Sequence, residues 1–333
     1  MNKSILFFLL FLLTVFTLGC SSSSGDKGKE KAGASEETDS QKNKGLEFEH
    51  NDQTFTVIPL FSQTLNYTEK VGGDSSKDRE RLYQEYVISS FEDIAEEKDL
   101  EISEFYEDYF EYNTNIEELE NSTKELMKQK DVIMKSVQSA LKESSSKLSG
   151  TDKTIFVMPL NPTNHFPIYN LGGVTGVTLS EDTVIMKLDP SYEEEQLKYA
   201  VAHEYGHLIE GEGNGGNWGS INELVISEGK ADTFARKVYP SVETSWNTPL
   251  EKNEKNEVLS VLEEEGNGYN ADAYYTLERG NSNRNIPIAS NYKIGAVIVE
   301  DYIENNNPSS VKEWIDLSPQ QLIEKTSYEE LLQ

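Results

Sequence analysis

His203, Glu204 and His207 stand in the segment "AVAHEYGHLIEG" of a 333-residue chain that has only four histidines. A random chain of this composition would contain such an H-E-x-x-H pattern roughly 0.01 times, so the spacing calls for a chemical explanation. Residues four apart share one face of an α-helix. His203 and His207 therefore project together and can hold one ion, while Glu204 is turned about 100° away. Two imidazoles suit zinc, and a third protein ligand with an open fourth position makes a catalytic site and not a structural one. No histidine follows His207. Glu228 does follow, with 20 residues between, and Asp232 falls four further on along the same helical face.

Such residues need two helices joined by a reversal. In "DPSYEEEQLKYAVAHEYGHLIEG", Ser191 three residues before Glu194 reads as a capping box and Gly211 as a stop, which predicts a helix from Tyr192 to Glu210. Gly206 inside it costs about 1 kcal/mol relative to alanine, so another element is expected to pack closely against that turn. "GSINELVISEGKADTFARKVYP" predicts the second helix from Ile221 to Val238, with Pro240 just beyond its end. Three β-rich runs, "KTIFVMPL", "GGVTGVTLS" and "TVIMKLDP", precede the pair. Farther upstream, "LEFEHNDQTFTVIPLF" alternates like one or two short strands, and the proline-free stretch after it carries apolar residues at helical spacing. Tyr83, Tyr86, Phe91, Phe105, Tyr109 and Phe110 read as the buried face of amphipathic helices in that stretch. The expected class is α+β, mainly helical, with a small mixed or antiparallel sheet. A mostly helical region over 46–150 would precede a second domain over 151–333.

"HEYGH" followed by "EGKAD" resembles the gluzincin metallopeptidases, whose pattern is H-E-x-x-H and, some twenty residues later, E-x-x-x-D. The wider runs "AVAHEYGHLIE", "INELVISEGKADTFAR" and "NYKIGAVIVEDY" resemble a family of bacterial predicted zinc-dependent proteases over roughly Thr151 to Tyr302. That resemblance implies a zinc metallopeptidase domain over 151–333, built on an active-site helix and a third-ligand helix. It implies one catalytic Zn2+ on His203, His207 and Glu228, with Glu204 as general base and Asp232 as the partner that orients one histidine. It also implies a donor for the tetrahedral oxyanion after the third ligand. With no histidine there, Tyr292 is the candidate, and Tyr274 and Tyr275 lie in a less patterned stretch. "TVIMKL" resembles the edge strand along which such enzymes align an extended peptide, the alternative being a plain core strand.

The expected activity is hydrolysis of peptide bonds in a peptide or protein substrate by metal-activated water. The competing expectation is a catalytically weak or inactive, metalloprotease-like binding lipoprotein. Retention of Glu204 speaks for the enzyme, because a pure binder needs ligands but no base. His50 and His165 have no ligand spacing to a partner, and no D-x-D-x-D-G calcium loop is present.

The N-terminus carries a different kind of signal. In "MNKSILFFLLFLLTVFTLGC" a lysine precedes a 14-residue uncharged apolar run, Ile5 to Leu18. The run is shorter than the roughly 18 residues of a membrane-spanning helix and fits a signal-peptide core. Cys20 is the only cysteine, which excludes an internal disulfide, and "TLGC" resembles a bacterial lipobox. The expectation is a signal peptide over 1–19, lipid attachment at Cys20 and a flexible Ser/Gly/Lys/Glu tether over 20–45. The protein would then be lipid-anchored on the extracytoplasmic face of the cell membrane, as in Gram-positive lipoproteins. A net charge of -29 argues against nucleic acid or an anionic surface as a partner, so contact with the membrane would come through the lipid.

Overall fold

A computed structural model describes residues 45–74, 77–102, 106–214 and 219–332. Cys20, the signal peptide and nearly all of the tether lie outside the described residues, as does Phe105. The chain enters through a hairpin. Strand β1 (Leu46–His50) pairs antiparallel with β2 (Gln53–Pro59), and Asn51 and Asp52 turn between them at φ 51° and 60°. Positive φ at both central residues matches the right-handed twist of the strands it joins.

Helices α1 (Phe61–Val71), α2 (Arg79–Tyr83), α3 (Ser89–Glu97), α4 (Ile116–Lys128) and α5 (Lys130–Lys147) follow, with a π-helical turn at Gln84–Ile88. Next come β3 (Lys153–Pro159), α6 (His165–Asn170), β4 (Val174–Thr178) and β5 (Thr183–Leu188). The remainder is helical: α7 (Glu194–Asn214), α8 (Ile221–Val238), α9 (Lys252–Glu265), α10 (Ala271–Arg279), α11 (Ser290–Asn306), α12 (Val311–Ile315), α13 (Pro319–Ile323) and α14 (Glu329–Leu332).

The five strands form one sheet in the order β1-β2-β3-β5-β4, drawing strands from both sides of residue 150. β2, β3 and β5 run parallel and the two edge pairs are antiparallel, so the class is α+β with a mixed sheet. Alternation along the central strands feeds two cores. Phe55, Val57, Ile155, Val157, Val184 and Met186 face the helices around α7 and α8. Ile58, Phe156, Met158 and Ile185 face Tyr67, Tyr83, Phe91 and Phe110 of the N-terminal segment. Tyr86 packs partly against that second core, whereas Tyr109 is 40% exposed, in a 3-10 turn where a helix face was expected.

The strand order corrects one expectation. "TVIMKL" is β5, an interior strand hydrogen-bonded on both sides, and the edge is β4 from the glycine-rich run "GGVTGVTLS". The physical reason is burial: every residue of β5 except Lys187 is buried, as a strand covered on both faces must be, whereas β4 is buried only at Val174. No helix among the described residues is long and apolar enough to cross a membrane.

Candidate metal centre

Helices α7 and α8 carry the chemistry, and local signals start and stop them. Ser220 caps α8 by accepting from the Glu223 amide, and the helix spans the predicted Ile221–Val238. α7 is displaced from its prediction at both ends. Ser191 donates its hydroxyl to Asp189 Oδ1, so the helix begins at Glu194 and not at Tyr192. Gly211 keeps out of the positive-φ region that ends helices, and α7 continues to Asn214. The two helices touch closely where the mid-helix glycine suggested: a Cβ on Gly206 would lie 3.1 Å from the Ala231 Cα.

That contact brings the three candidate ligands together. His203 Nε2 lies 3.2 Å from His207 Nε2 and 3.2 Å from Glu228 Oε2, and His207 Nε2 lies 3.5 Å from the same oxygen. Four ligands placed tetrahedrally at zinc–nitrogen and zinc–oxygen bond lengths sit about 3.3 Å apart, so the three atoms occupy one face of such a tetrahedron. Among the described residues this is the one His/Cys/Asp/Glu group that could hold a metal ion. Electrostatics agree with a place for positive charge. Burial opposes charge on both partners, but hydrogen bonds from His203 and His207 hold the Glu228 carboxyl far below its usual range. Burial likewise pulls His207 down, yet the carboxylates of Glu228, Glu204 and Glu210 outweigh it and lift the imidazole to about 9.

Glu204 is buried beside the pair. Its Oε2 accepts a hydrogen bond from Thr178 Oγ1 at 3.0 Å, and the edge strand β4 passes directly over it. A Cβ on Gly176 would fall 2.3 Å from the Glu204 Cγ, so only glycine lets the strand cross there.

Asp232 is not joined by a hydrogen bond to either imidazole. Its Oδ1 accepts from Tyr199 Oη at 2.5 Å and from Trp246 Nε1 at 2.7 Å, and its Oδ2 pairs with Arg236 at 2.7 Å. His203 Nδ1 is buried with no hydrogen-bond partner among the described residues. His207 has one: Ser227 Oγ lies 3.2 Å from its Nδ1, and Ser227 in turn reaches the buried Glu210. Sequence reasoning missed Ser227, Glu210, Thr178 and Trp246. A signal existed for two of them. Glu210 follows His207 by three and Lys230 follows Ser227 by three, so an acid and a base share the inward faces of the same two helices.

Tyr292 reaches the site because α8 and α11 cross backbone to backbone. A Cβ on Gly229 would fall 2.1 Å from the Gly295 carbonyl carbon. The Tyr292 ring sits 5.5 Å from the His203 ring and 5.2 Å from Trp246. Burial first, then the Glu228 charge, push its hydroxyl well above the ordinary tyrosine range, so it stays a neutral donor. Tyr274 is raised by the same two causes and accepts from Asn291 Nδ2 at 3.4 Å. Tyr275 is 52% exposed and lies under Arg279.

Comparison with known proteins adds a family. The family described as "Predicted Zn-dependent protease (DUF2268)" matches residues 133–324, from within α5 to just past α13 and including the whole site. No curated protein and no solved structure matches the chain.

Proposed function

The chain belongs to the family of predicted Zn-dependent proteases, and on that premise we propose that it is a zinc-dependent peptidase with His203, His207 and Glu228 as its zinc ligands. What carries the reading is the donor set: two imidazoles and one carboxylate oxygen at ligand-to-ligand spacing, with a second carboxylate, Glu204, beside them and not among them. Zinc, when bound, lowers the pKa of a water and polarises a scissile carbonyl. Glu204 acts as general base, its Oε2 held by Thr178 so that Oε1 is left to take the proton from that water and pass it to the leaving amine. Tyr292, kept neutral by burial, donates its hydroxyl hydrogen to the oxyanion that develops at the carbonyl. The free edge of β4 offers main-chain groups to an extended peptide, which would place the substrate across Glu204. Asp232 holds Tyr199, Trp246 and Arg236 together, and Trp246 packs on Tyr292 beside the first histidine, a scaffold role in place of a direct hydrogen bond.

The N-terminal lipobox-like cysteine supports a second part of the proposal, attachment of the mature chain by lipid at Cys20 to the outer face of a bacterial membrane. Cys20→Ser should release the protein from the membrane fraction.

Elemental analysis of the chain from Ser21 onward, beside Glu228→Ala, tests the metal. One zinc per wild-type chain, lost in the variant, is expected. Peptide-library digestion with Glu204→Gln as control then tests the chemistry. A well-folded wild type that takes no zinc would overturn the peptidase reading. Zinc without any peptide turnover would point instead to a binding lipoprotein.

A further inference from the structure

Beyond the three ligands, α7 and α8 bury a second set of polar groups. The Lys230 side chain is 0% exposed and that of Glu210 1%. An ammonium has three donors and no acceptor, and here each donor is committed. One goes to Glu210 Oε1 at 2.7 Å, one to the Ile315 carbonyl at 3.1 Å and one to the Leu317 carbonyl. The two carbonyls belong to the end of α12 and the link into α13, so the C-terminal segment shares the cation with Glu210.

The hydrogen-bond direction in the rest of the set follows. Glu210, paired with Lys230, is a carboxylate and can only accept. Ser227 has one hydroxyl hydrogen, and Glu210 Oε2 takes it at 2.6 Å. Toward His207 Nδ1, 3.2 Å away, Ser227 Oγ can therefore only accept. The imidazole must carry a proton on Nδ1, so Nε2, which faces His203 and Glu228, is the nitrogen left to bind a metal. His203 has no such arrangement, its Nδ1 being without a partner.

We propose that Ser227, Glu210 and Lys230 are positioning residues that hold His207 in a single tautomer and rotamer for the metal and tie the metal centre to the C-terminal segment through the carbonyls of Ile315 and Leu317. The inference rests on the zinc reading above. Groups outside the coordination sphere that fix a ligand imidazole are commonly worth about 10- to 100-fold in metal affinity.

The test is zinc affinity of the full mature chain, measured by competition with a chelator, together with histidine-ring 1H–15N spectra of the zinc-loaded protein. Ser227→Ala should weaken zinc about 10- to 100-fold, and a slowly exchanging Nδ1–H of His207 should be present in the parent and lost to fast exchange in the variant. Lys230→Met should also weaken zinc in the parent but have little further effect in the Ser227→Ala background, because groups acting in series are not additive. Parental affinity and an unchanged ring N–H in Ser227→Ala would overturn the positioning role, as would fully additive losses in the double variant. Ser227→Ala removes one buried hydroxyl only, so it decides the question even if Lys230→Met does not fold. A parent that takes no zinc in the same competition would instead sink the zinc reading, and the positioning role with it.

Discussion

Two charged clusters lie between the same pair of helices, about one turn apart, and they differ in what completes them. In Glu210–Lys230–Ser227 the chain supplies its own cation, every donor of which is used, and the group is sealed from solvent. In His203–His207–Glu228 the carboxylate faces two imidazoles and, among the described residues, no lysine or arginine; His203 is buried, while His207 and Glu228 remain partly accessible. The first cluster is a finished ion pair. The second is a set of donors that could hold a metal ion, and with none bound the surrounding carboxylates keep His207 protonated up to about 9. Burial and carboxylate charge are common to both, so the teaching difference is which residue types the sequence places at the second turn of contact.

Changes at each cluster should break this comparison in different ways. The largest effect is expected at the open one: Glu204→Gln should lower kcat/KM about 100- to 10,000-fold while zinc content stays at the parental level. A variant that lost zinc as well would show that Glu204 is part of the donor set. At the closed cluster, Lys230→Met leaves the Glu210 carboxylate buried without its cation and should cost about 3–5 kcal/mol in urea unfolding. Replacing Glu210 by Met in addition should recover most of that loss. Zinc itself should sharpen the contrast. At free zinc 100 times Kd the parent should gain about 2.7 kcal/mol of stability, reversed by chelator, and Glu228→Ala should show no zinc-dependent shift in Tm.

Smaller effects separate strand from helices. Gly176→Ala drives a methyl group into Glu204, and should destabilise by about 1–3 kcal/mol and reduce turnover, with zinc affinity kept. Ser220→Ala removes the cap of the helix that carries both Glu228 and Lys230, and should cost about 1 kcal/mol in thermal unfolding without preference for either cluster.

Much of the site was legible because its spacing is local. The turn of an α-helix puts His203 and His207 on one face whatever surrounds them, and a serine before an apolar run with a proline after it delimits α8 within the chain itself. Gly206 announced a close neighbour, since a glycine in the middle of a helix gives up stability without a packing reason. The same local logic misled at Ser191, whose hydroxyl was expected to accept from a first-turn amide and instead donates to Asp189.

By itself, then, the sequence determined the two helices, the inward faces that carry His203, His207 and Glu228, and the overall balance of helix and sheet, because each depends on contacts within a few residues. Only the tertiary structure decided that β4 and not β5 is the sheet edge crossing over Glu204, that Asp232 meets Tyr199, Trp246 and Arg236 and not an imidazole, and that Ser227 hands His207 on to Glu210 and Lys230. Strand order and buried polar partners are settled by which distant segments exclude water together, and that competition leaves no periodic trace in the chain.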